Sequence, residues 1–97
     1  MPREITYDPR VRGDLEHIGA ANARRVRIAI ESKLRDGDPN AFGFPLRDAL
    51  AGYRKLRVGD VRIVYKVINQ TIRVHVITVD PRRNDKVYKT AGKRIRD

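Results

Sequence analysis

The chain has 97 residues, of which 40% are hydrophobic, and it contains no cysteine. This size predicts a single small domain spanning residues 1–97, and the lack of thiols excludes disulfide frameworks, thiolate metal sites and cysteine nucleophiles. No segment approaches the ~20 apolar residues of a membrane span, and the charged N-terminus has no apolar signal core, so we expect a soluble cytoplasmic protein.

Positive charge is concentrated in the second half of the chain. The sequence carries 22 Lys and Arg against 12 Asp and Glu, a net charge of +10. Residues 53–97 hold 13 of the basic side chains but only 4 of the acidic ones. Such a balance favours a polyanionic partner such as nucleic acid, or an acidic protein that masks the charge.

The first half of the chain predicts a short strand and two helices. Polar and apolar side chains alternate weakly over residues 3–7, which predicts a short strand. Asp8 follows it and suits the N-cap of a helix. Apolar residues at helical spacing predict one helix up to Gly19 and a longer one over residues 21–35. The two helices should pack as a hairpin, and the glycines and prolines of residues 36–45 predict an irregular connector.

From Tyr53 the apolar pattern changes to a period of two, which predicts strands over residues 53–58, 61–67 and 71–79. Gly59-Asp60 suits a type II′ turn, and Asn69-Gln70 suits a second turn. The tail beyond should hold at most a short helical turn around residues 85–91. The predicted fold is α+β: a short N-terminal strand, a helical hairpin, a three-stranded antiparallel meander and a polar C-terminal tail.

The turn at Gly59 determines which side chains share a face of the sheet. Counting outward pairs Arg57 with Arg62 and directs a set of apolar side chains to the helices: Leu56, Val58, Val61, Ile63, Tyr65 and Val67. The opposite face carries Tyr53, Lys55, Arg57, Arg62, Val64 and Lys66. With the second turn at Asn69-Gln70, Lys66 would pair with Arg73.

Directly opposed like charges destabilise a sheet, so the two predicted basic pairs indicate an anionic ligand between them. A phosphodiester backbone fits, because arginine offers bidentate donors and lysine a mobile point charge. Heparin-like chains or an acidic protein segment would satisfy the same electrostatics. Neither a metal nor a cofactor is expected, since His17 and His75 fall on different elements without clustered carboxylates. A lysine that accepts a proton and a tyrosine that donates one would still allow acid–base chemistry.

One motif of the chain is KLRVGDVRIVY at residues 55–65, and it is followed by residues 76–79, Arg82 and residues 87–89. In this order, these segments resemble the RelE/ParE toxin superfamily, and its RelE branch in particular. The predicted strand, the helical hairpin and residues 45–52 are also similar to this family, so the resemblance covers almost the whole chain. It implies the toxin of a type II toxin–antitoxin system: a metal-independent endoribonuclease that cleaves mRNA in the ribosomal decoding site and is neutralised by a cognate antitoxin protein.

The resemblance also implies roles for individual residues. Lys55 would be the base that activates the ribose 2′-hydroxyl, and Arg57 and Arg62 would hold the scissile phosphate. Arg82 would stabilise the transition state or help to protonate the leaving oxygen, and Tyr88 would stack on or orient the attacked nucleotide. The expected catalytic set is Lys55, Arg62, Arg82 and Tyr88, and the expected RNA contacts are Tyr53, Arg57, Lys66, Arg73, Arg83 and Lys89.

The sequence departs from the family pattern at one position, where a second lysine often precedes Lys55 and this chain has Tyr53. Lys55 would then act as the base alone, or Tyr53 would contribute. Two other functions stay open. A ParE-like toxin of the same fold would inhibit DNA gyrase through protein contacts, and a non-catalytic RNA-binding module would use the basic face for binding only.

Overall fold

The computed structural model describes residues 3–68, 73–80 and 86–96 of the chain. Within these ranges the strands are β1 (Glu4–Tyr7), β2 (Phe44–Pro45), β3 (Arg54–Val58), β4 (Val61–Ile68) and β5 (Arg73–Asp80). The helices are α1 (Val11–Ile18), α2 (Ala20–Ala29), which continues as the π-helical Ile30–Arg35, and α3 (Lys86–Arg96), with a 3-10 turn at Asp48–Leu50. No helix in this part of the chain is long and apolar enough to cross a membrane.

The strands form one sheet in the order β1-β5-β4-β3-β2. β1 runs parallel to β5, and the other neighbours are antiparallel. The predicted meander of β3, β4 and β5 is confirmed, and the predicted N-terminal strand forms one edge. The other edge is β2, two residues of the connector that was expected to be irregular. Pro45 is tolerated there because the outer side of an edge strand needs no N–H donor.

The helical hairpin of α1 and α2 covers one face of the sheet, as predicted. Val26, Ile30 and Leu34 are almost completely buried in a core that also contains Ile63 and Tyr65 of β4. The apolar side chains that the β3-β4 register assigned to the helix face all lie in this core or pack against it. Alternation along two strands was therefore enough to orient this layer.

The hairpin between β3 and β4 has the predicted register. Gly59 has a φ of +59°, whereas Asp60 does not have a positive φ, which is the pattern of a type II′ turn. Arg57 stands opposite Arg62, and Lys55 stands opposite Val64. The faces of these two strands are thus set by the turn, as the sequence indicated.

The predicted register between β4 and β5 is wrong. Lys66 stands opposite His75, and Arg73 stands opposite Ile68. The pairing also shifts by one residue beside Val64, because Ile77 is an additional residue in β5. Ile77 packs on one face of the sheet, whereas the residues at 76 and 79 pack on the other. A strict period of two cannot place all three apolar side chains, and the bulge resolves this conflict. The predicted turn at residues 69–70 lies outside the described residues.

The C-terminal segment differs most from its prediction. Where a polar tail with at most one short turn was expected, α3 is a helix of 11 residues. Val87, Ala91 and Ile95 recur at helical spacing and pack with Val64 and Ile77 in a second core. Val64, which was expected on an open cationic face, is therefore fully buried. The apolar stripe was missed because it is narrow and stands among many basic side chains.

An ion pair fixes α3 to α1 across the edge of β5. Arg94 Nη1 and Nη2 donate to Asp14 Oδ2 and Oδ1 at 2.6 and 2.8 Å, and only 11% and 15% of the two side chains is exposed. Arg94 also donates to the carbonyl of Ile77 at 2.9 Å, and Asp14 accepts the backbone N–H of Val79 at 3.0 Å. β1 pairs with residues 73–76 only, so the ion pair satisfies the backbone groups that β1 leaves unpaired.

Candidate functional site

Three charged residues form a row across the ends of three strands. Arg57 of β3 stands opposite Arg62 of β4, which in turn stands opposite Asp80 of β5. Arg57 is exposed, and its Nε donates to the carbonyl of Gly59 at 3.1 Å. The predicted arginine pair is therefore present, and Asp80 adds a carboxylate that offsets part of the repulsion between the two guanidinium groups.

Lys55 lies on the same face of the sheet, close to two aromatic rings. Its Nζ is 5.7 Å from the ring centroid of Tyr88 and 6.0 Å from that of Phe44. Tyr88 comes from α3, whereas Phe44 is the direct neighbour of Lys55 on β2. An ammonium within about 6 Å of a ring centroid is attracted to the aromatic face. The structure thus brings the predicted Lys55 and Tyr88 together, and the two rings define where the amine lies.

Lys55, Phe44 and the two opposed arginines border a cleft of about 700 Å³. The residues that line it are Phe44, Pro45, Leu46, Arg47, Lys55, Leu56, Arg57 and Arg62. One ammonium and three guanidinium groups therefore surround a single opening with an apolar wall. Guanidinium groups bind phosphate oxygens in a bidentate manner, and apolar walls accommodate the faces of nucleobases. The cleft is suited to a short stretch of single-stranded nucleic acid.

The strand that carries Phe44 is held in place from beneath by Arg54 and Tyr65. Arg54 Nη2 donates to the carbonyls of Asn40 and Gly43 at 3.0 and 3.2 Å. The Tyr65 hydroxyl lies 2.8 Å from the carbonyls of both Pro39 and Phe42, and burial raises the pKa of this phenol. These bonds tie the irregular residues before β2 to the sheet, so the wall of the cleft has a fixed shape.

The family of the chain follows from its sequence. A family described as ParE toxin of type II toxin-antitoxin system, parDE, matches residues 5–86. The chain belongs to this toxin family. The matched region contains β2 to β5 and all of β1 except Glu4, and hence the positions of Lys55, Arg57 and Arg62, and it ends two residues before Tyr88. A comparison with curated protein sequences gives no match.

Solved structures of other toxins have the same fold. The toxin is similar to a chain of the RelBE2 toxin-antitoxin complex from Mycobacterium tuberculosis, with a TM-score of 0.77 and 26% identity over 87% of this chain and 95% of that one. An arginine-to-alanine double mutant of the E. coli toxin RelE in the free state gives a TM-score of 0.66 and 26% identity over 98% and 99% of the two chains. A YoeB/ParE toxin from Agrobacterium tumefaciens gives a TM-score of 0.58 and 26% identity over 79% of this chain and 95% of that one. Membership of the RelE/ParE superfamily and the α+β fold are confirmed.

Lys66 and Tyr53 form a second lysine–aromatic pair on the toxin, away from the cleft. Lys66 Nζ is 5.2 Å from the ring centroid of Tyr53. Lys66 is exposed and lies four residues along β4 from Arg62, a separation of roughly 13 Å at the rise of a strand. Opposite Lys66, His75 Nδ1 lies 2.7 Å from the hydroxyl of Thr6. Tyr53 and Lys66, two of the predicted RNA contacts, therefore lie on the same face of the sheet as the cleft but do not line it.

Arg73 does not join the other predicted residues. It begins β5, seven residues from Asp80, which corresponds to roughly 23 Å along the strand. Its Nε is 2.7 Å from Glu4 Oε1, so a carboxylate already neutralises this guanidinium. The expected pair of Lys66 and Arg73 is absent because the pairing of β4 with β5 follows a different register.

The remaining predicted residues of the toxin lie on or before α3. Lys89 is exposed next to Tyr88 and lines a cleft of about 480 Å³ together with Arg47 and Arg96. Arg82 and Arg83 lie outside the described residues, and their assigned roles stay predictions.

Two residues of the cleft were missed from the sequence, Phe44 and Arg47. Both follow a segment rich in glycine and proline, where no periodic pattern assigns a side chain to a face. For Phe44 a signal was available: phenylalanine favours strands, and the proline that follows it is tolerated in an edge strand, which could pair with β3.

Proposed function

We propose that this toxin is a ribosome-dependent endoribonuclease that cleaves mRNA in the decoding site. The observation that carries the proposal is the meeting of Lys55 and Tyr88, from β3 and α3, beside the cleft that Arg57 and Arg62 line. An amine, a phenol and two guanidinium groups provide proton transfer and charge stabilisation, which are the two requirements of RNA cleavage without a metal.

In the proposed reaction, the neutral amine of Lys55 accepts the proton of a ribose 2′-hydroxyl. The 2′-oxygen forms a bond to the adjacent phosphorus as the bond from phosphorus to the 5′-oxygen breaks. The products are a 2′,3′-cyclic phosphate and, after proton uptake by the leaving oxygen, a 5′-hydroxyl. Arg57 and Arg62 would bind the non-bridging oxygens and stabilise the charge that develops on them. Tyr88 would orient the attacked nucleotide, and Arg82 would help to protonate the leaving oxygen.

Primer extension on a message translated in a purified system tests the proposal. The wild-type toxin should cut within codons, and only when ribosomes are present. Arg62→Ala should remove this cleavage, whereas Arg25→Ala should not, because Arg25 is an exposed arginine of α2 that contacts Asn22 on the helical side. Intact messages with the wild-type toxin would contradict the proposal.

Inhibition of DNA gyrase is the second candidate function, because the family that matches the chain is that of ParE toxins. The two functions make opposite predictions for the same preparation. A gyrase inhibitor would block supercoiling of relaxed plasmid and leave translated mRNA intact. A supercoiling assay run beside the primer extension therefore separates them.

We also propose that a cognate antitoxin binds the toxin. The structural relatives include the RelBE2 toxin-antitoxin complex and RelE bound to an antitoxin RelBc peptide. On the helical side of this chain, a largely apolar groove of about 410 Å³ is lined by Tyr7, Pro9, Val11 and Leu15 together with Asp8, Arg12 and Arg27. Asp8 is paired with Arg10, so the two arginines of the groove supply its positive charge. An amphipathic segment with acidic side chains fits this groove. Loss of co-purification on Leu15→Asp, with unchanged folding by circular dichroism, would support this binding mode, and unchanged co-purification would contradict it.

A further inference from the structure

Phe44 is a large apolar side chain left in solvent at the margin of the cationic cleft. It is 67% exposed, more than any other large hydrophobic side chain in the described part of the chain. It stands directly opposite Lys55 on the neighbouring strand, so its ring projects from the same face of the sheet as Lys55, Arg57 and Arg62. An exposed ring in such a cationic setting does not serve the core of the fold.

The backbone that leads into Phe44 is held in one position. Gly43 has a φ of +74°, and a Cβ there would come within 2.8 Å of the Tyr65 hydroxyl and collide with the Lys55 carbonyl. The carbonyls at 42 and 43 accept bonds from Tyr65 and Arg54 respectively. A backbone constrained in this way loses little conformational entropy when a ligand binds to the side chain that it carries.

We infer that Phe44 is a stacking platform for a nucleobase of the RNA strand that enters the cleft. The inference rests on the proposed function and extends it, because it assigns a second aromatic contact near Lys55, beside Tyr88, that the sequence analysis did not name. The rings of Phe44 and Tyr88 both lie within about 6 Å of the Lys55 amine, so bases of neighbouring nucleotides can reach them together. The cations at this cleft favour the bases of a polyanionic strand over an apolar protein segment.

Stacking on a phenyl ring needs no hydrogen bonds to the base edge, so it accepts every base. Its strength grows with the size of the aromatic system, and purines therefore stack better than pyrimidines. Phe44 would accordingly give the toxin a modest preference for a purine at one position of the bound RNA. Phe44 would thus contribute a base preference, whereas the charged side chains contact the RNA backbone.

Binding of short RNA tests the inference independently of cleavage. The probe is a fluorescent single-stranded RNA of five nucleotides with 2′-O-methyl riboses, which cannot be cut. Phe44→Ala should weaken binding about ten- to a hundred-fold, Phe44→Trp should restore it, and Phe44→Leu should not, because leucine keeps the apolar volume without the π face. Phe42→Ala is the matched control, since it removes a phenyl ring from the same segment on the side of Lys33.

Abasic substitutions identify the stacked position. Replacing one nucleotide at a time by an abasic residue should reveal one position at which the abasic RNA and Phe44→Ala each weaken binding and do not add when combined. Additive losses at every position would overturn the inference. So would an unchanged affinity of Phe44→Ala for RNA, or a loss of antitoxin binding without loss of RNA binding, which would assign the ring to a protein interface.

The cleavage assay separates this inference from the proposed function. A wild-type toxin that binds the probe through Phe44 but cuts no message would contradict the nuclease function and retain the stacking platform. If the wild-type toxin and Phe44→Ala cut messages at the same rate and with the same purine preference, the nuclease function is retained and the stacking platform is overturned. Failure of the wild-type toxin to bind the RNA probe at low salt would also overturn it.

Discussion

Lys55 and Tyr88 are held together by packing between elements that are distant in the sequence. The lysine Nζ lies 5.7 Å from the tyrosine ring centroid. Tyr88 reaches this position because α3 packs over β4, where the tyrosine contacts the second core around Val64. The placement of the candidate base therefore depends on the docking of the C-terminal helix as well as on the strand that carries the lysine.

Lys55→Arg should separate charge from proton transfer. Arginine keeps the positive charge at the cleft but cannot act as a base, because its guanidinium stays protonated. We expect cleavage to fall by at least about a hundred-fold, with affinity for the ribosome within a few-fold of the wild type. Single-turnover cleavage and ribosome co-sedimentation measure the two quantities. Full activity of the arginine variant would exclude Lys55 as the base.

Tyr88→Phe should reduce cleavage by at least about a hundred-fold without destabilising the toxin. The ring that packs on the second core is retained, and only the hydroxyl is lost, so the free energy of unfolding should change by less than ~0.5 kcal/mol. Urea denaturation and single-turnover cleavage provide the measurements. The control is Tyr7→Phe, which removes the hydroxyl of a partly exposed tyrosine on the helical side and should cleave normally. Equal activity of the two variants would show that the Tyr88 hydroxyl is not used.

Arg94→Ala should destabilise the fold by roughly 3 kcal/mol, because it leaves the nearly buried carboxylate of Asp14 without its charge partner. Urea denaturation measures this loss. A double-mutant cycle with Asp14→Asn should show strong coupling between the two residues. Arg35→Ala, which removes the exposed ion pair to Asp36, is the control and should change stability little. Independent, additive effects of Arg94 and Asp14 would contradict the proposed anchoring of α3.

Gly43→Ala and Gly13→Ala should have opposite effects on stability. A Cβ at Gly43 meets the Tyr65 hydroxyl at 2.8 Å and requires a positive φ, which predicts a loss of about 2 kcal/mol. A Cβ at Gly13 meets nothing within 4 Å, and alanine in the interior of α1 should stabilise the toxin by about 0.5 to 1 kcal/mol. Thermal unfolding of both variants checks this. A neutral Gly43→Ala would show that the segment before β2 is not tightly constrained.

The stability of the toxin should fall in acid partly through Asp8. The hydrogen bond from the Arg10 side chain is the main cause that holds the pKa of Asp8 below its ordinary value. A carboxylate with a lowered folded-state pKa stabilises the fold above the unfolded pKa, near 4, and this contribution is lost as the pH falls through the folded value. Asp8→Asn removes the charge that pairs with Arg10 and should therefore cost at most about 1 kcal/mol at pH 7 and almost nothing near pH 2. Stability curves that remain parallel over this range would contradict the assignment.

The sequence by itself determined the helical hairpin, the β3-β4 register and the opposed pair of Arg57 and Arg62. These features depend on local rules. Asp8 accepts the backbone N–H of Arg10 at 2.9 Å in the turn before α1, but α1 begins only at Val11, so Asp8 is not its N-cap residue as predicted. Glycine at position 59 fixes the turn, and a fixed turn with strict alternation leaves no freedom in the pairing of its two strands.

Only the tertiary structure decided which side chains of the cationic face lie together at the cleft and which lie apart from it. Ile68 pairs with Arg73, which moves Lys66 and Arg73 each two residues away from the expected partner. The bulge at Ile77 shifts the pairing by one more residue towards Asp80, because residues of β5 must serve cores on both faces of the sheet. The docking of α3 covered Val64 and placed Tyr88 next to Lys55, and pairing of β2 with β3 brought Phe44 to the cleft. Each of these contacts joins segments whose own patterns are short or irregular. Long-range packing, which no local period encodes, selected their positions.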